Sequence, residues 1–137
     1  MTGWNFANVW EAIGSVHPEW VAQIDQSRRF TWAQWGRRAD GVAAALADLG
    51  LDHQAKVAQY LYNCPEYLES LFAAWKAGLV PVNTNYRYGD DELAYLWDNA
   101  DAEVVVFHSS FADRIERLRP RLPRIRMWLW VFDGEGT

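Results

Sequence analysis

One cysteine, Cys64, occurs in 137 residues. No internal disulfide can form, and a reducing compartment is expected. Long apolar stretches are also missing. No unbroken apolar run exceeds six residues, as in Met127–Phe132, whereas a membrane-spanning helix needs about 20. The opening Met1-Thr2-Gly3-Trp4-Asn5 has neither the basic nor the apolar segment of a secretory leader, so a cytoplasmic chain is expected. Basic residues are outnumbered, 13 Lys and Arg against 18 Asp and Glu, for a formal charge of -5. That balance disfavours a nucleic-acid footprint over the whole domain. Neither GxxxxGK(S/T) nor GxGxxG occurs, so a dinucleotide site is not expected. His17, His53 and His108 are too scattered for paired metal ligands.

What is present is apolar and aromatic. Half of the residues are hydrophobic, 15% are aromatic and nine are tryptophan. A chain of this length has room for one domain with one real core. So many indoles fill a thick core, or else form a surface that docks on a partner. The second possibility is a function in its own right: a non-catalytic protein-interaction module with a Trp-rich apolar surface.

Helical and strand patterns alternate along the chain. Phe6, Val9, Trp10 and Ile13 have helical spacing from Trp4 to about Val16, and His17-Pro18 ends that helix. Val21–Ile24 reads as a short strand and Asp25–Arg29 as a polar turn. Thr31 and Gln34 form a capping box, with Phe30 and Trp35 spaced as a hydrophobic staple. Trp32, Trp35, Ala39, Val42, Leu46 and Leu49 continue one apolar stripe to Gly50, which suits a left-handed C-cap. A strand over Lys56–Leu61 precedes a helix starting at Asn63-Cys64-Pro65-Glu66 and ending at Gly78. Leu79–Val82 is the next strand. Asp90, Asp91 and Glu92 open a further helix, where its dipole favours carboxylates. Val104–Phe107 has the β-branched run of a buried strand. Ser110 with Asp113 is spaced to cap a helix through Ile115 and Leu118, and Ile125–Val131 is a last strand. Such alternation predicts an α/β fold, a layered parallel sheet with helices on both faces. The last strand lacks a following helix, so the chain reads as an incomplete domain.

In an open parallel sheet, ligands bind beyond the carboxyl ends of the strands. Three such ends are legible: Tyr62-Asn63, Asn83–Arg87 and His108-Ser109. Arg87 is the only basic residue from 77 to 113, a stretch holding seven acids. A guanidinium there can grip a phosphate or carboxylate bidentately. It can equally pair with Asp90 or Asp91 and hold the loop. His108 reads as a packing residue, and Cys64 as an ordinary helix-start residue. Six arginines lie between 114 and 126 beside one acid, Glu116. They suit a polyanion patch or, more plainly, a solvated helix C-terminus. Pro120 and Pro123 exclude one continuous basic helix.

Several runs resemble one family in order. Phe30-Thr31-Trp32-Ala33-Gln34-Trp35 is similar to the opening "(L/F)T(Y/W)-x-(E/Q)-L" segment of the AMP-forming acyl-CoA synthetases, the adenylate-forming ligases. An Ala-rich helix ending Ala45–Gly50 follows, as in that family. Lys56-Val57-Ala58 stands at its "GDRVA" strand and Asn63-Cys64-Pro65-Glu66 at its "N-x-P-E" helix start. Ala74–Asn83 resembles "KAG-x-(V/I)-x-(V/L)-N", while Asn85-Tyr86-Arg87 and Glu92–Leu96 resemble "N-x-R" and "EL-x-Y-(I/L)". The departures are local: His53-Gln54-Ala55 replaces the usual Gly-Asp, and Gln59 and Tyr60 replace apolar strand residues.

The resemblance implies that residues 1–137 are an N-terminal subdomain fragment of an AMP-dependent ligase domain. Such enzymes use ATP and Mg²⁺ to convert a carboxylic acid to an acyl-adenylate, then pass the acyl group to CoA. The family's phosphate loop, adenine- and ribose-binding segments and catalytic lysine lie downstream. The fragment is therefore expected to bind no ATP and to be inactive alone, with no catalytic residue of its own. One site residue carries over: in relatives the Arg of "N-x-R" contacts CoA phosphate, and here that residue is Arg87.

Overall fold

Asn5 starts the first helix in the computed structural model, which describes residues 3–133. The Asn5 side chain accepts from the Ala7 N–H at 2.8 Å, and the Asn8 side chain accepts in return from the Asn5 N–H at 2.8 Å. This reciprocal cap sets the start of α1 (Phe6–Val16) one residue beyond Asn5. The described residues form two units. One comprises the chain up to His53 together with Asn63–Leu79, and the other comprises Gln54–Tyr62 and the chain from Val80 onward.

The first unit holds α1, β1 (Val21–Asp25), β2 (Arg28–Thr31), α2 (Trp32–Asp48) and α3 (Pro65–Lys76). β1 and β2 form an antiparallel hairpin, pairing Ile24 with Arg29 and Asp25 with Arg28. The polar turn expected over Asp25–Arg29 thus shrinks to Gln26 and Ser27, with Gln26 in the left-handed region at φ 52°. Thr31 and Gln34 form the expected box: the hydroxyl accepts from the Gln34 N–H at 3.1 Å and the amide oxygen accepts from the Thr31 N–H at 2.9 Å. Gly50 follows α2 at φ 65°, a conformation that costs residues with a Cβ.

Aromatic rings make the core of this unit. Trp10 lies 4.7 Å from Trp35, 5.1 Å from Phe72 and 5.1 Å from Trp75, centroid to centroid. Trp35, Ala39, Leu46, Phe72, Ala73 and Ala74 are buried around them. The expected staple differs. Trp35 packs its ring on Trp10, Trp32 and Phe72, while the Phe30 ring lies near the guanidinium groups of Arg28 and Arg38. The α3 cap falls on Cys64, with Pro65 at the first helical position and no side-chain cap bond.

The second unit is a four-stranded parallel sheet of β3 (Lys56–Tyr60), β4 (Val80–Asn83), β5 (Ala102–His108) and β6 (Met127–Val131), in the order β4-β3-β5-β6. Helices α4 (Asp90–Asn99) and α5 (Ala112–Leu118) complete it. Ala58, Tyr60, Val105 and Phe107 share a sheet face and pack with Leu93, Trp97, Ile115 and Leu118. Val57, Gln59, Val104 and Val106, on the opposite face, are buried too. Burial on both faces explains why Val104–Phe107 reads as a continuous apolar run rather than an alternation. The α/β class, a parallel sheet flanked by helices, is as the sequence leads one to expect.

Two details of this unit differ from expectation. Ser110 does not cap α5. It sits in a 3₁₀ turn, Ser109–Phe111, and its hydroxyl donates to Asp133 at 2.6 Å. The cap position falls on Phe111, without a side-chain bond. Residues Gly134–Thr137 of the expected tail, like Met1 and Thr2, lie outside the described residues.

Candidate functional site

The carboxyl ends of β3, β4 and β5 bring Tyr62, the 84–88 loop and His108 to one end of the sheet. Every turn of that loop is tied down. The Thr84 N–H donates to the Gln59 carbonyl at 3.1 Å, and the Thr84 hydroxyl accepts from the Trp97 indole N–H at 3.1 Å. The Tyr60 hydroxyl donates to the Tyr86 carbonyl at 3.3 Å. Arg114 donates to the Tyr60 hydroxyl at 2.8 Å and to the Tyr88 carbonyl at 3.0 Å. The Asn85 side chain accepts from the Arg87 N–H at 2.9 Å, forming an Asx turn. Burial raises the Tyr60 phenol above its ordinary range, and the adjoining Arg114 partly offsets this. Tyr60 therefore stays a neutral donor at physiological pH.

Arg87 sits at the exposed tip of this anchored loop. The expectation that it pairs with Asp90 or Asp91 is corrected by the structure, because both carboxylates are taken by other arginines. Asp90 lies 2.9 Å from Arg114 Nε and 2.8 Å from Arg117 Nε, and Asp91 lies 3.0 Å from Arg121. Asp101 is bound to Arg124. Among the described residues Arg87 makes no ion pair. Its guanidinium carbon lies 5.6 Å from the centroid of the Tyr86 ring. The Tyr86 and Tyr62 rings are 4.8 Å apart and both are partly exposed.

The same pairs revise the reading of the arginine cluster. Arg114, Arg117, Arg121 and Arg124 are neither a free polyanion patch nor merely solvated; each meets an acid outside its own element. The acids that open α4 serve as their partners as well as complementing the helix dipole. The Asp90 carboxyl is held below its ordinary range, chiefly by its hydrogen bond from Arg117.

His108 is buried, and its Nδ1 accepts from the Tyr62 N–H at 3.0 Å. It anchors the chain after β3, as a packing role requires. Asp133 accepts from the Ser109 hydroxyl at 2.7 Å, so serine and carboxylate bond directly with no histidine between them. That is not the relay of a hydrolytic triad. Burial pushes the Cys64 thiol up to about 11, which leaves almost no thiolate at neutral pH. No group of three His, Cys, Asp or Glu side chains able to hold a metal occurs among the described residues. No described helix is long and apolar enough to cross a membrane.

Sequence reading singled out Arg87 but missed the residues that hold it. Tyr60 and Arg114 are 54 positions apart and meet only in the folded sheet. The one available signal was a tyrosine where the related strand has an apolar residue.

Comparison with known proteins is consistent along the chain. The AMP-binding enzyme family matches residues 10–134. A medium/long-chain-fatty-acid–CoA/3-oxocholest-4-en-26-oate–CoA ligase of Mycobacterium tuberculosis is 35% identical over 130 residues, covering 95% of this chain and 24% of the relative. A 3-oxocholest-4-en-26-oate–CoA ligase of Rhodococcus rhodochrous is 32% identical over 130 residues, covering 95% and 23%. The chain thus spans about a quarter of these curated relatives. Among solved structures, a long-chain-fatty-acid CoA ligase of Rhodopseudomonas palustris, described as putative, superposes with a TM-score of 0.88 at 25% identity, over 98% of this chain and 34% of that one. From its motifs, its sheet order and its relatives, the chain belongs to the AMP-binding enzyme family.

Proposed function

We propose that these residues are the N-terminal part of an AMP-forming acyl-CoA ligase acting on a lipophilic carboxylic acid, a medium- or long-chain fatty acid or a sterol side-chain acid. In that reaction a carboxylate oxygen attacks the α-phosphorus of ATP and the bond to pyrophosphate breaks. The CoA sulfur then attacks the acyl carbon and AMP leaves. ATP with Mg²⁺ supplies the activating chemistry, and the residues that would hold them are downstream of this segment in the family. The 137 residues are inactive by themselves.

The observation that carries this reading is the match of residues 10–134 to the AMP-binding enzyme family, together with a CoA ligase 35% identical over 95% of this chain. Arg87 is the residue of this segment proposed to touch a substrate, gripping a CoA phosphate. Support comes from its freedom from ion pairs among the described residues and from the loop that holds it out. An unneutralised guanidinium on an anchored loop suits a phosphate better than a paired one. The partly exposed faces of Tyr62 and Tyr86 beside it suit a stacked base.

The test has two arms. The chain alone, given ATP, Mg²⁺ and a fatty acid, is expected to release no pyrophosphate; turnover above background would overturn the claim of inactivity. A chimera in which these residues replace the matching segment of the Rhodococcus ligase is expected to form thioester. In it, Arg87→Gln should raise KM for CoA about tenfold while leaving adenylation unchanged. An inactive but folded chimera would count against the ligase reading, and an unaltered KM against the role of Arg87.

A further inference from the structure

Residues 28–38 contain four arginines, Arg28, Arg29, Arg37 and Arg38, and no acid, in a chain whose net charge is -5. The hairpin and the first turns of α2 gather three of them around a cleft of about 280 Å³, lined by Arg29, Phe30, Gln34, Arg37 and Arg38. These residues divide into two classes. Arg28 and Arg38 are held: Arg28 lies 2.7 Å from Glu66, Arg38 is bound to Glu69, and their guanidinium carbons lie 5.2 and 5.1 Å from the centroid of the Phe30 ring. Arg29 and Arg37 are exposed and make no ion pair among the described residues.

The first turn of α2 carries no acid. Asp40, the next acid on that helix, lies 2.8 Å from Lys76 and is already paired. The Gln34 amide oxygen is used in the helix cap, which leaves its NH₂ as a donor at the cleft. The cleft therefore presents guanidinium donors and an amide donor, with Phe30 at its side. That combination favours an anion with several acceptor oxygens.

We propose that Arg29, Gln34 and Arg37 form a phosphate-binding site, independent of Arg87 and of the acyl transfer proposed above. The ligand chemistry is a phosphate group with at least two free oxygens, carried either by a soluble phosphate compound or by the headgroup of an anionic phospholipid.

The ¹⁵N-labelled 137-residue chain, titrated with inorganic pyrophosphate, tests this through its arginine Nε–H signals. The expected result is saturable movement of the Arg29 and Arg37 signals, weakened by added salt. Arg29→Gln and Arg37→Gln should each weaken binding about tenfold, and Arg37→Lys less, because lysine keeps the charge but not the fork. Arg87→Gln should leave the movement at Arg29 and Arg37 intact. A second arm uses phosphatidylglycerol vesicles. Sedimentation with them that is lost in both Gln variants assigns a headgroup, and response to pyrophosphate alone assigns a soluble phosphate. If neither probe moves the Arg29 and Arg37 signals of the wild-type chain, or only Arg87 responds, the proposal is wrong. The wild-type map decides even if a variant fails to fold.

Discussion

Cys64 shows how a residue's chemistry follows its surroundings. It caps α3 with an extended backbone, and burial is the largest influence on its thiol. Glu66 nearby also opposes a second negative charge. With the thiol pushed up to about 11 from an ordinary 9.0, its thiolate at pH 8 is scarcer by about a hundredfold. Alkylation by iodoacetamide at pH 8 should be slower by about that factor than for a small free thiol, and should approach it in denaturant. Rapid modification of the folded chain would contradict the burial. Reading Cys64 as an ordinary helix-start residue needed only its neighbour Pro65 and the absence of a nearby histidine. The size of the thiol's displacement needed the fold.

At the scale of elements, α4 and α5 are joined by charge as well as by the apolar contacts of Leu93, Ile115 and Leu118. Asp90 is the centre of that pairing, because two arginines of α5 converge on it. Its folded carboxyl is displaced downward, first by the Arg117 hydrogen bond and then by the charges of Arg117 and Arg114, against a desolvation penalty. A depressed carboxyl stabilises the fold fully above its unfolded value of 3.8, and that contribution disappears as pH falls through the lower folded value. Asp90→Asn should therefore lower the urea midpoint at pH 7, and the difference should shrink as the pH falls below 3.8. Equal midpoints for the two proteins at pH 7 would show that the pairing is energetically neutral. Element boundaries followed local punctuation closely. His17-Pro18, Thr31 with Gln34, and Gly50 act through backbone geometry and bonds within four residues. Ser110 failed as a cap because Asp133, 23 positions away, takes its hydroxyl.

For the whole molecule, most tryptophans serve cores. Trp10, Trp32, Trp35 and Trp75 cluster in the first unit, and Trp97 is fully buried in the second. Trp4 and Trp20 are exposed instead, and so is Trp130. It lies on β6, an edge of the four-stranded sheet, is 52% exposed and packs on the exposed Phe132 ring at 5.7 Å. An apolar edge strand with unpaired backbone groups invites association. The chain should bind a hydrophobic dye and self-associate with rising concentration, and Trp130→Lys should reduce both by placing a charge on that edge. A wild-type chain that stays monomeric and dark with dye would refute this.

Much local order was written in the sequence: the helices and most strands, the Thr31–Gln34 cap, the breaks at His17-Pro18 and Gly50, the buried character of Val104–Phe107, and the motif order that resembles adenylate-forming ligases. These depend on neighbours within a few residues, so one dimension is enough to read them. Which charges remain unpaired was decided only by the tertiary structure. Arg87 is four positions from Asp91, yet Asp91 bonds Arg121, 30 positions away. Arg29 and Arg37 share a cleft because a hairpin and a helix start bring them together. An ion pair is selected by distance in space, and competition among thirteen cations and eighteen acids is resolved only when the folded backbone sets those distances.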